Sequence, residues 1–387
     1  MFIRSFTWGR ADLSWSRVME RLLLAAEQAG HSVSLLSTNG YDGMQYWSEA
    51  RARQEAGRLA ERMAGAPFDI DITYTIPKNF PERFLRSSRV KIGRFDYESS
   101  VMPPFFRENL NVPDYLVASS AFVADVFRQA GANERKIRII HSGVDRSIFN
   151  EEVKPLDLKK LGIEGSPFVF LSVAEPHYRK QLDRLLQIFC ERFTSSDDVV
   201  LIIKTKLFEP GEYRQGFEQD LRPYLAALKN KYGAKMPQIK VLGKRMQNLA
   251  PLYRAAHAFC LPTVGEGWGM PFLEAMSCGS LVIAPNHGGQ LEFLNKNNSV
   301  LCPVKISPAL PQEQYGTYPF EKLDWKSALE MPKGVVARPD EAVFGDMLVA
   351  AYKNYSSIID PLRKEMRATS DRFTWAAAAN QMLGLAK

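Results

Sequence analysis

A short apolar run, a turn, an amphipathic helix and another apolar run follow one another along most of this chain. That rhythm limits the fold more than any other feature. It predicts strands at 2–6, 32–36, 70–76, 90–95, 115–118 and 137–141, and again at 168–173, 199–204, 239–242, 258–261 and 281–284. Between the first two strands, Val18, Leu22, Leu23 and Ala26 recur at helical spacing, and Gly30 stands where a helix would stop. A second helix at 121–129 follows Ser119 and Ser120, both good N-caps. Strands alternating with helices form parallel sheets covered on both faces. The stretch 151–166 loses the rhythm, is charged, carries Pro155 and reads as a linker. The expectation is an α/β chain of two doubly wound, Rossmann-like domains facing each other across a cleft. Residues 307–337, rich in Pro, Gln and charge, read as a long surface excursion, and 341–387 as mostly helical.

Composition narrows the function classes. At 387 residues the length suits about two domains. With 45% hydrophobic and 24% charged residues, usage is ordinary for a globular chain and argues against extensive disorder. The four cysteines, Cys190, Cys260, Cys278 and Cys302, form no CxxC pair. They fit neither a disulfide framework nor a zinc cluster, and a reducing compartment is expected. No apolar stretch approaches the ~20 residues that span a bilayer. The opening run is too short and polar for a signal peptide, so the expected location is cytoplasmic. A net charge of +7 permits an anionic partner without requiring one.

Open α/β sheets bind ligands at the carboxyl ends of their strands. The most informative such loop follows the strand at 258–261. Gly265, Gly267 and Gly269 alternate there, allowing close backbone approach and positive φ. Pro271 suits the first position of a helix over 271–278. The amino end of that helix would favour an anion, with about 0.3–1 kcal/mol from the dipole. Glu266 lies in the loop and Glu274 in the first helical turn. Carboxylates repel phosphate, so both are better suited to accepting hydrogen bonds from sugar hydroxyls.

Glu266 and Glu274, with Gly267, Trp268, Gly269, Met270 and Pro271 between them, resemble the signature of the GT-B glycosyltransferases. The nearest resemblance is to the large retaining glycosyltransferase family 4. Further matches fall in order along the chain: 29–36, 116–123, 139–145 with Phe149, Val241 to Lys244, Leu252 with Tyr253, 274–279 with Leu281, and Phe373 to Trp375. The resemblance implies a GT-B fold with an acceptor-side domain at 1–155 and a nucleotide-sugar domain at 156–365. A C-terminal helix at 366–387 would cross back onto the first. It also implies a transferase that moves a sugar from a nucleotide-diphosphate sugar, UDP- or GDP-linked, to an acceptor hydroxyl. Retention of configuration is implied, with no metal and no further cofactor.

Residue roles follow from the same resemblance. Glu274 would hold the ribose hydroxyls, Glu266 the transferred sugar, and the amides of Gly267, Trp268, Gly269 and Met270 would face the diphosphate. Arg179 and Lys180 follow the strand at 168–173, where the family places a phosphate-binding lysine. The family's arginine six residues earlier is replaced here by Ala174, which leaves Lys204 or Lys206 as sources of the second positive charge. Gly9 ends the first strand, where the family brings backbone close to the phosphates. In place of a first-domain histidine the chain has Asp96 and Glu98, suited to orienting the acceptor or steadying an oxocarbenium-like transition state. His287 reads as structural.

Two other features carry competing readings. Asp69 and Asp71 form a DxD, but they alternate with Phe68, Ile70 and Ile72 as a strand with one polar face would. Residues 78–94 hold six basic residues and one acid, with Phe80 and Phe84 between. This segment reads as a solvated face, or as a patch for an anionic surface or nucleic acid. The acceptor is thus open among a glycan, a lipid-linked intermediate and nucleic acid, with peripheral contact at an inner membrane surface a further expectation. A nucleic-acid-binding protein, a transferase acting on modified bases and a GT-B epimerase or hydrolase remain as alternatives.

Overall fold

A computed structural model describes residues 1–7, 14–37, 68–207, 219–315 and 334–387. The chain divides into two compact units. The first comprises Met1–Tyr97, Val101–Gly143 and Phe373–Lys387, and the second Glu98–Ser100 and Val144–Arg372.

The first unit holds β1 (Phe2–Thr7), β2 (Ser32–Ser37), β3 (Ile70–Tyr74), β4 (Val90–Arg94), β5 (Tyr115–Ala118) and β6 (Ile137–Ile139). They form one parallel sheet in the order β2-β1-β3-β4-β5-β6. Helix α1 (Ser14–Gln28) joins β1 to β2 and buries Val18, Met19, Leu22 and Leu23. Helix α2 (Ala121–Gln129) is capped by Ser120, whose side chain accepts from the Val123 amide. The end of the chain belongs to this unit, and its last helix packs on α1. At Gly143 an added Cβ would lie 2.3 Å from the Thr374 and Trp375 backbone, so only glycine admits the returning segment.

The second unit holds β7 (Phe168–Val173), β8 (Val199–Lys204), β9 (Gln238–Leu242), β10 (Ala258–Cys260), β11 (Leu281–Pro285) and β12 (Val300–Cys302). They are parallel, in the order β12-β11-β10-β7-β8-β9. The continuous apolar runs of β8 and β11 reflect a sheet covered on both faces. Flanking helices are α3 (Leu182–Arg192), α4 (Leu221–Tyr232), α5 (Ala250–Ala255), α6 (Met270–Ser277), α7 (Glu341–Lys353) and α8 (Arg363–Arg372), while α9 (Trp375–Gly384) is the closing helix of the first unit. The charged stretch 151–166 lies within the second unit, with Ile163 buried and the Leu156 amide donating to the Pro251 carbonyl at 2.8 Å.

The expected excursion at 307–337 is structured at both ends. β13 (Val304–Pro308) and β14 (Val335–Pro339) pair antiparallel, and Val336 and Ala337 are buried. Two partners separated this far along the chain leave no short-range signal; residues 316–333 lie outside the described ones.

Asp69 and Asp71 have structural partners. Arg4 reaches both Asp71 oxygens at 2.9 and 2.7 Å, and Leu85 N donates to Asp71 at 2.8 Å. Asp69 accepts from the Phe2 amide and from Arg89. The basic segment 78–94 is likewise dispersed. Phe80 and Arg94 are buried, Arg83 lies 4.6 Å over the Phe6 ring, and Arg89 pairs with Asp69. Among the described residues, no helix is long and apolar enough to cross a membrane.

Candidate functional site

The order of the second sheet reverses direction at β7 and β10, which are neighbours although far apart in sequence. Parallel sheets open a crevice at such a point, between loops that leave in opposite directions. The loop after β7 carries Arg179 and Lys180, and the loop after β10 carries residues 262–269. Topology therefore brings together the two loops singled out from sequence. They are laced at the backbone, where Val264 N donates to the Arg179 carbonyl at 2.8 Å. Thr263 Oγ1 stands 3.1 Å from that carbonyl and 3.0 Å from the Gly265 carbonyl.

Four charges meet on this frame. Lys180 Nζ lies 2.5 Å from Glu266 Oε1, and Arg179 Nη1 approaches the same oxygen at 3.3 Å. Arg179 Nη2 donates to Glu98 Oε1 at 2.8 Å, and its Nη1 to the Gly265 carbonyl at 2.9 Å. Arg179, Lys180 and Glu266 are each less than a tenth exposed. Burial alone would raise the Glu266 carboxyl, but the charges of Lys180 and Arg179, with hydrogen bonds from Lys180 and Thr263, hold it below the ordinary value. Burial lowers Lys180, the Arg179 charge lowers it further, and Glu266 opposes both. The cluster is a charge-balanced set of two cations and two carboxylates.

The sequence-predicted residues divide as follows. Glu266, Arg179, Lys180 and Glu98 form one cluster. Glu98 enters it because Glu98–Ser100 belongs to the second unit. At Gly265 an added Cβ would lie 2.2 Å from the Glu98 carbonyl, so the close approach requires glycine. Asp96 belongs to the first unit, where it is buried and accepts from the Tyr74 hydroxyl and from Ser119 N. The cation that shares Glu266 with Lys180 is Arg179, and not Lys204 or Lys206, the expected sources of a second positive charge. Lys204 Nζ donates to the Thr205 carbonyl at 3.1 Å, and Lys206 is exposed. Gly9 lies outside the described residues.

Gly269 takes φ +87° and caps α6. The helix begins at Met270, one residue earlier than expected, so Pro271 holds its second position and Glu274 stands past the first turn. Trp268 is buried with its ring centroid 4.9 Å from that of Phe293, a contact that anchors the loop. Gly267 is buried beside it and Met270 is half-buried. Glu274 is half-buried and accepts from the Tyr253 hydroxyl at 2.9 Å. Tyr253 was legible only as part of a motif, because its pairing with Glu274 depends on α5 packing against α6. The loop after β11 also holds Glu266 in place, through the Gly289 amide on the Glu266 carbonyl at 2.8 Å. Gln290, fully buried, braces that loop by donating to the His287 carbonyl. His287 has its pKa lowered by burial.

Comparison with known proteins agrees with this architecture. Residues 153–310 match the family described as glycosyl transferases group 1. Sucrose synthase 6 of Oryza sativa subsp. japonica is 24% identical over 221 residues, which cover 54% of this chain and 26% of that protein. D-inositol 3-phosphate glycosyltransferase of Segniliparus rotundus is 26% identical over 177 residues, covering 46% of this chain and 38% of that protein. The chain thus spans about a quarter to two fifths of the length of these curated relatives. Whole-chain likeness appears in solved structures. The Anabaena HepE complex with UDP-glucose has a TM-score of 0.65 at 15% identity, covering 99% of this chain and 98% of that one. Sucrose-phosphate synthase from Thermosynechococcus elongatus has a TM-score of 0.67 at 14% identity, with the same coverage. Two six-stranded parallel sheets and the whole-chain likeness to these structures give the chain a GT-B fold, and within it residues 153–310 match the glycosyl transferases group 1 family.

Proposed function

We propose that this protein transfers a sugar from a nucleotide-diphosphate sugar, with UDP as the nucleotide, to an acceptor hydroxyl, retaining anomeric configuration and without a metal. The observation that carries this reading is the Arg179–Lys180–Glu266 cluster at the β7/β10 switch point, with Glu274 oriented by Tyr253 on the adjoining helix. Structural neighbours solved with UDP and UDP-glucose support the choice of nucleotide. Glu274 accepts from the ribose hydroxyls. An ionised carboxylate has about four acceptor sites, so the bond from Tyr253 orients it without exhausting it. The amino end of α6 and the loop amides of Gly267 to Met270 receive the diphosphate.

As the glycosidic C–O bond breaks, negative charge builds on the departing diphosphate. Lys180 and Arg179 neutralise it, which is the role a divalent ion would otherwise fill. Preorganised cations in a water-poor site contribute several kcal/mol to such a step. In the free protein Glu266 holds both cations at their positions, and in the donor complex it turns to the sugar hydroxyls. Retention follows from attack on the face the diphosphate leaves, with a phosphate oxygen taking the acceptor proton.

Calorimetric titration with UDP, GDP, ADP and dTDP, without and then with magnesium, tests the reading. UDP alone is expected to bind without magnesium. Binding that requires magnesium would overturn the metal-independent mechanism, and silence from all four would overturn the donor assignment.

A further inference from the structure

A second feature of the second unit lies at the other end of its sheet. Ala255 to His257 lead into β10 and Cys278 and Gly279 into β11, so they stand at the amino ends of strands whose carboxyl ends carry Glu266 and His287. These residues line a cavity of about 500 Å3, within the size range of small-ligand sites.

Four cations line it: Arg254 on α5, and Arg363, Lys364 and Arg367 on the first two turns of α8. Glu151 is the single carboxylate in the lining. Arg254 Nε donates to the Glu151 carbonyl at 2.8 Å, and Arg363 Nε to Asp360 at 3.1 Å. Among the described residues, no ion pair involves Arg254, Lys364 or Arg367. Arg363 is further held by a hydrogen bond with Tyr355. Most other arginines of this unit sit beside carboxylates, such as Arg184 on Glu341 and Arg338 on Glu313. Three unpaired cations around one concavity repel one another, and an anion among them relieves that cost. Arg363 and Arg367 stand one turn apart on one face of α8, a spacing at which two guanidinium groups can grip a tetrahedral oxyanion. The amino end of this ten-residue helix adds its dipole in the same sense.

We infer that this cavity is a second anion site, built for the phosphate group of a monoester, and separate from the nucleotide site at Glu266. It does not depend on the transferase reading, since it shares no residue with the switch-point cluster.

The test titrates inorganic phosphate and glycerol 3-phosphate into the full chain at constant ionic strength. The comparison is between wild type, the double variant R363Q/R367Q and the control Lys180→Ala. Both replaced arginines are exposed, and circular dichroism checks that the fold is kept. Binding is expected in wild type and in the Lys180→Ala protein, with affinity reduced roughly tenfold or more in the double variant, the loss of charge-assisted hydrogen bonds. Co-sedimentation with phosphatidylcholine vesicles containing phosphatidic acid, a phosphate monoester, separates the sources of the phosphate. Arginine-dependent sedimentation that glycerol 3-phosphate displaces assigns a lipid headgroup; soluble binding alone assigns a metabolite. Absence of phosphate binding to wild type would overturn the inference. So would an affinity unchanged in R363Q/R367Q, or binding lost on Lys180→Ala, which would place the anion in the nucleotide site.

Discussion

Lys180 and Glu266 each depend on the other for being charged while buried. Removing one member of a buried ion pair leaves the other uncompensated, at a cost of about 3–5 kcal/mol. Glu266→Gln is therefore expected to lower unfolding stability by roughly that amount in urea titrations at neutral pH. Because the folded Glu266 carboxyl is held below its ordinary value, its contribution is fully present above that ordinary value and is lost as pH falls through the lowered one. The acid limb of stability should accordingly flatten in Glu266→Gln; a limb unchanged from wild type would refute the pairing. Lys180 has the opposite sensitivity. Burial and Arg179 lower its pKa, so its charge is lost at a less alkaline pH than for an exposed lysine. UDP affinity should decline on the alkaline side below the ordinary lysine range, and Lys180→Arg should move that decline upward. Glu274→Gln is expected to weaken UDP binding by roughly tenfold, the worth of a charged hydrogen-bond acceptor, while circular dichroism stays unchanged. Unaltered affinity would remove the ribose assignment. At this scale the residue types were legible in the sequence, and their partners were not: Glu98, read as an acceptor-side acid, binds Arg179, and nothing local to residue 98 announces that.

At the scale of elements, the loop after β10 works because it is short, glycine-bearing and clamped on two sides. Gly265 passes the Glu98 carbonyl so closely that any Cβ collides with it. Gly265→Ala is expected to displace the Glu98 segment, release Arg179 from Glu98 and cost about 1–3 kcal/mol, as overpacking does elsewhere. Thermal unfolding and UDP titration check this together. Wild-type values in both would mean that the close approach is not needed. The elements themselves were largely readable. β5, β7, β8 and α2 match their expected bounds, because long apolar runs and a good N-cap act locally. The β13–β14 ladder was not foreseen, since antiparallel pairing across a long insertion depends on contacts between segments far apart in the chain.

For the whole molecule, Arg179, Lys180, Glu266 and Glu274 belong to one compact unit, and so does Glu98, although it comes from a distant part of the chain. A ligand that binds only the folded state stabilises it by RT ln(1 + [L]/Kd), about 2.7 kcal/mol at a hundredfold excess over Kd. UDP is therefore expected to raise the unfolding midpoint and to slow amide exchange most strongly in the loops after β7 and β10. Protection confined to the first unit would contradict the assignment. By itself the sequence determined the two doubly wound blocks, most of the helices and strands that compose them, and which residue types the candidate loops carry. Apolar periodicity, caps and glycine spacing are short-range properties, carried by each segment wherever it lies. Only the tertiary structure decided which of those residues meet. The reversal of strand order at β7 and β10 joins Arg179 and Lys180 to Glu266, and the transfer of Glu98–Ser100 to the second unit supplies the fourth charge. It also separates Asp96 from that cluster by domain and gathers four scattered cations of α5 and α8 around one cavity. Charge pairing of this kind depends on distances between segments more than eighty residues apart, which only the packed chain sets.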